Sequence, residues 1–110
     1  MGKALLLIVA IVLGIAATNK QNNFPDLSVK ENLAWMGTGK IFEKDNTSIK
    51  KIILQEVKDI YIVYKKDGSL HDLAKDRIDR IEFPDSKWGA LVLSFPENKN
   101  EFKRYDNTGY

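Results

Sequence analysis

The chain has 110 residues, no cysteine, and 44% hydrophobic, 29% charged and 10% aromatic residues, a composition that suits one folded domain and excludes disulfides, thiolate catalysis and thiolate metal sites. Its formal charge of +2 comes from Lys3 and Lys20, which flank an apolar segment; without them fifteen basic residues stand against fifteen acidic ones over residues 21–110. A formally neutral domain whose Lys50-Lys51, Lys65-Lys66 and Lys103-Arg104 pairs are set among carboxylates lacks the clustered cations that phosphate neutralisation needs, so a nucleic-acid partner is disfavoured.

The first predicted element covers residues 4–17, ALLLIVAIVLGIAA, with its greasy surface supplied by Ala4, Leu5, Leu6, Leu7, Ile8, Val9, Ile11, Val12, Leu13 and Ile15. Lys3 and the terminal amine precede it, and Thr18, Asn19 and Lys20 follow. As a helix, fourteen residues span about 21 Å, short of the roughly 30 Å hydrocarbon core, and Gly14 and Ala16 satisfy the small-x-small rule for peptidase cleavage. Residues 1–20 therefore read as a signal peptide or, with Lys3 and Lys20 snorkelling, a transmembrane anchor. Both readings hold the N-terminus inside and deliver residues 21–110 as a small extracytoplasmic β-rich domain, either membrane-anchored or periplasmic or secreted.

A polar link closed by Pro25 leads into a short predicted helix. Ser28 and Glu31 have capping-box spacing, Leu33, Ala34, Trp35 and Met36 continue for about two turns, and Gly37 suits the C′ position. Trp35 is expected to cover the core of the domain. Strands are then predicted over 40–42, 48–57, 59–65 and 90–95, with a weaker one over 102–105, because these stretches concentrate Ile, Val, Tyr and Phe. The run Ile60-Tyr61-Ile62-Val63-Tyr64 is apolar on both faces and reads as a central strand. Asp67-Gly68 follows and predicts a type I′ hairpin returning through residues 69–73. Leu70, Leu73, Ala74, Ile78 and Ile81 recur at helical spacing, so a helical turn over 72–79, supported by an Asp76–Arg80 pair, is expected before a strand ending at Pro84. Turns are expected at 84–87 and 96–100. The predicted class is α+β, mainly β: an N-terminal apolar helix, then a small antiparallel sheet of about five strands with one or two short helices.

Chemistry-bearing residues are few. His71 is the single histidine, and Ser69 and Asp72 beside it would not converge with it on one strand face, so no triad is expected there; across a two-residue hairpin His71 faces Tyr64. Asp67, Asp72, Asp76, Asp79, Glu82 and Asp85 lack the alternate spacing of a calcium loop and are interleaved with Lys75, Arg77 and Arg80, which predicts a solvated, ion-paired face. Gly37-Thr38-Gly39 lacks the third glycine of a phosphate-binding loop, and Asn46-Thr47-Ser48 matches the glycosylation tripeptide. No cofactor, metal site or catalytic residue is implied. Trp88, Phe102, Tyr105 and Tyr110 form the candidate contact surface toward the C-terminal third, with the edge strand formed by the C-terminal tail as a second docking point.

The expected function is a non-catalytic, membrane-anchored or envelope accessory subunit that makes protein contacts or self-assembles. A secreted or periplasmic binding module released by cleavage is the alternative. A filament or virion subunit is a third, because an apolar N-terminal helix before a small β-domain resembles the architecture of type IV pilins. The chain departs from the pilin pattern in that Lys3 follows Gly2 and no acid occurs before Asp26.

Overall fold

Between Gly39 and Arg104 inward Ile, Leu and Phe alternate with outward polar residues, and in a computed structural model, which describes residues 24–105, this pattern folds as a seven-stranded sheet. Its strands are β1 (Gly39–Glu43), β2 (Ser48–Val57), β3 (Tyr61–Lys66), β4 (Ser69–Ala74), β5 (Ile78–Ser86), β6 (Gly89–Ser94) and β7 (Glu101–Arg104). They lie in the order β4-β3-β2-β1-β5-β6-β7, and every neighbouring pair is antiparallel. One short helix, α1 (Lys30–Trp35), precedes them.

The expected α+β class with about five strands is therefore overturned: the described fold is mostly β, with seven strands and one short α-helix. The apolar helix expected over residues 4–17 lies outside the described residues, as does Tyr110. The count of about five left out two segments: the expected hairpin return, which is β4, and the strand expected to end at Pro84, which is β5 and begins earlier, at Ile78, inside the stretch with helical spacing. Ile78 and Ile81 both face inward although three residues apart, because the register of β1 against β5 shifts between Phe42 and Glu43 and the bulge inserts one residue. That spacing imitates a helix. Only a 3-10 turn forms, at Lys75–Arg77, and Arg80 pairs with Asp79 and Glu82 rather than Asp76.

β2 binds β1 through its first half and β3 through its second, bending at two register shifts. Lys51, with φ 57°, sits at the first of these bends. Such bends let one strand carry a sheet around a corner, so a single face wraps the core. Ile41, Ile52, Ile62, Ile81, Phe83, Leu91 and Leu93 are fully buried there, with Leu27, Leu33 and Met36 from the segment around α1. β1 occupies the middle of the sheet. β3, expected to be central, is next to the edge, and its Tyr61 and the preceding Ile60 are exposed.

The Asp67-Gly68 hairpin forms as expected, with φ 52° and 83° at the two loop residues and Tyr64 directly across from His71. At α1 the capping box does not form. Ser28 donates from its backbone N and its Oγ to Asp26 Oδ1, at 3.0 and 2.7 Å, closing a turn ahead of the helix instead. Gly37 takes φ 74°, as its C′ role requires. Met36 is buried but Trp35 is 55% exposed, so it does not cover the core as expected; Lys87 Nζ lies 4.9 Å from its ring centroid.

Candidate functional site

The residues singled out for contact do not make one surface. Phe102, on β7, is half-buried against the core and stacks on Phe24 with centroids 5.7 Å apart. The Arg104 guanidinium lies 5.1 Å from the Phe24 ring centroid and donates to the Trp88 carbonyl. Trp88 is half-buried against the same core. Phe24, Trp88, Phe102 and Arg104 thus clamp the start of the described chain onto the β7 edge. Tyr105 faces away from them, as alternation requires, into a shallow groove of about 510 Å³ with Gly39, Pro84 and the Lys40, Lys50 and Lys51 side chains.

A second surface escaped the sequence reading. α1 crosses the second half of β2, and between them runs a groove of about 380 Å³ floored by Ile53, Val63 and Leu70 and walled by Leu33 and Ala34. Ile53 pairs with Lys65 and Lys65 with Leu70, so the three stand in one row across β2, β3 and β4. Ile53 is 42% exposed and Leu70 65%. A signal for this existed. Leu70 and Leu73 are three apart, so on a strand without a bulge only one of them faces inward, and in Ile52-Ile53-Leu54 the middle residue faces away from its neighbours. Leu73, Ile52 and Leu54 take the core and leave Leu70 and Ile53 outside.

His71 is exposed and stacks on Tyr64 at 5.2 Å between centroids. Burial pushes the Tyr64 hydroxyl above its ordinary pKa. The acidic residues stay dispersed: Arg80 holds Asp79 at 2.7 Å and Glu82 at 2.9 Å while lying 3.9 Å from the Phe42 ring, and Arg77 meets Glu43 at 3.3 Å. Among the described residues no three His, Asp or Glu side chains converge as metal ligands, and no buried side-chain N or O lacks a hydrogen-bond partner. Asn46 is exposed in the β1–β2 turn.

No family model, curated protein or solved structure matches the chain.

One buried charge remains. Lys75, only 3% exposed, donates from Nζ to the Asn98 carbonyl at 3.1 Å and Asn100 Oδ1 at 3.4 Å, and lies 5.1 Å from the Phe95 ring centroid. Burial lowers its pKa below the ordinary 10.5. It ties the end of β4 to the β6–β7 loop, whose Glu97 and Asn98 adopt φ 52° and 62°. The two edges of the sheet order are thereby pinned together at one end, and among the described residues the exposed first part of β4, residues 69–72, is left as open edge.

Proposed function

We propose that the chain is a non-catalytic, membrane-anchored or envelope accessory subunit whose β-domain makes protein contacts through the α1–β4 groove. The apolar residues 4–17 hold it at a bilayer, and the positive N-terminus leaves the domain on the outer side. The observation that carries the contact role is that exposed Ile53 and Leu70 line one groove with Leu33, Ala34 and Val63 beside α1, whereas the other exposed large apolar side chains, Val29, Trp35, Ile60 and Tyr61, lie outside that groove. Apolar side chains left in a shallow groove beside polar neighbours mark a binding surface, because covering them removes unfavourable hydration. No helix among the described residues is long and apolar enough to cross a membrane.

Carbonate extraction of membranes from cells making the full chain tests the anchor. Retention in the pellet supports it, and a shortened soluble chain beginning near Ala17 transfers the reading to a released binding module. Full-length chain in the cytosol, never with membranes, overturns both. Chemical cross-linking in the same cells tests the groove: Ile53→Asp is expected to strip protein adducts from the chain without changing its fractionation.

A further inference from the structure

We propose that the partner in this contact is a second copy of the chain, paired antiparallel along β4 about a two-fold axis at His71; this rests on the contact reading above. The two edges of the sheet are unequally protected. β7 is four residues long and carries Glu101, Lys103 and Arg104, the usual means of keeping an edge from pairing. β4 is six residues long, has no proline or lysine, and pairs with β3 without a register shift. Its Ser69, Leu70, His71 and Asp72 are all exposed.

Geometry fixes the register. Lys66 and Ser69 flank the two-residue loop and form a hydrogen-bonded pair, so by alternation His71 turns its backbone groups toward β3 while Leu70 and Asp72 turn theirs to the open edge. An axis at Asp72 would oppose two carboxylates, and one at Leu73 would need the end of β4 that Lys75 pins to the β6–β7 loop. An axis at Leu70 would set Asp72 opposite Gly68 of the second copy, in the hairpin loop. With the axis at His71, Leu70 faces Asp72 of the second copy, and four backbone hydrogen bonds form around two such pairs.

Charge complementarity supports that choice. Lys65 and Asp72 each have no ion-pair partner among the described residues. Lys65 stands beside Leu70 on β3, two strand spacings or roughly 9 to 10 Å from Asp72 of the second copy. The lysine stem lies over Leu70 and its ammonium reaches that carboxylate, so two symmetric ion pairs roof the two leucines. The Ile53–Lys65–Leu70 row of one copy then continues into Asp72 and Val63 of the next, so the two equivalent rows lie side by side on one face, offset by two residues.

Because the chain has no cysteine, single introduced thiols report the register directly. In the full chain in its native membranes under mild oxidation, His71→Cys is expected to give a band at twice the 12.5 kDa chain mass, since residues opposed across a non-hydrogen-bonded pair lie about 4.5 Å apart at Cα, within disulfide reach. Leu70→Cys and Asp72→Cys are each expected to stay single when expressed alone and to cross-link when co-expressed. All three positions are exposed, so folding is not at stake. Equal cross-linking at all three sites alone, or none at His71→Cys, overturns the pairing. If His71→Cys stays single while Ile53→Asp still strips adducts of other proteins, the pairing fails and the contact reading survives.

Discussion

At Gly39 the missing side chain is a packing requirement. A Cβ there would stand 2.7 and 2.9 Å from Phe83 Cε1 and Cδ1 and 3.3 Å from the Glu82 carbonyl, and Phe83 is fully buried and has no room to retreat. Gly39→Ala is therefore expected to lower unfolding free energy by about 1–3 kcal/mol in urea titration, the usual cost of overpacking. Lys75 makes a pH-dependent prediction. Its folded-state pKa lies below the 10.5 it has when unfolded, so between those two values the unfolded chain holds more protons. Stability from this group is smallest when the amine is charged in both states and rises with pH through that alkaline window. Compared with Lys75→Met, measured by denaturation at neutral pH and at successive steps up to about pH 10.5, the wild type is expected to gain ground as pH rises. A wild type that loses ground over that range would show that hydrogen bonding to Asn98, not burial, governs this amine.

The element that joins the domain to its N-terminal segment is held by an aromatic clasp. Phe24 stacks on Phe102 with an interplanar angle of 15°, and removing it exposes the inner side of a four-residue strand. Phe24→Ala is expected to cost about 1–2 kcal/mol and to raise hydrogen exchange in β7 while β1, in the middle of the sheet, stays protected. Much of this architecture was legible. The bounds of β2, the Asp67-Gly68 hairpin and the Tyr64–His71 pair follow from period-two patterning and turn chemistry. The helical turn predicted over 72–79 shrank to the 3-10 turn at Lys75–Arg77 because a bulge lets Ile78 and Ile81 share a face of one strand, and the α+β class was overturned by a mostly β fold. Bulges depend on what the neighbouring strand does, so a single run of residues does not announce them. The contact surface was misread for a related reason. Aromatic side chains at Trp88 and Phe102 were taken by their own core, and the exposed apolar row fell to aliphatic residues whose orientation is set by parity within each strand.

For the molecule as a whole, the decisive property is that its apolar exposure lies where stability does not depend on it. A domain of this length has roughly 4–12 kcal/mol to lose, and truncating a buried ring such as Phe83→Ala removes about 3–5 kcal/mol of it. Leu70 is 65% exposed, so replacing it should move stability by no more than about 0.5 kcal/mol. Charge at this position then separates folding from association. In the proposed pairing Leu70 faces Asp72 of the second copy, so Leu70→Asp places like charges across the junction while Leu70→Lys places opposite ones there. The two variants are expected to melt within a few degrees of the wild type and of each other. In the His71→Cys background, Leu70→Asp is expected to abolish the disulfide band and Leu70→Lys to retain it. A simple hydrophobic patch would respond alike to both charges, because either removes the same buried apolar area; equal loss with the two variants would therefore exclude the registered strand pair and leave only a greasy contact.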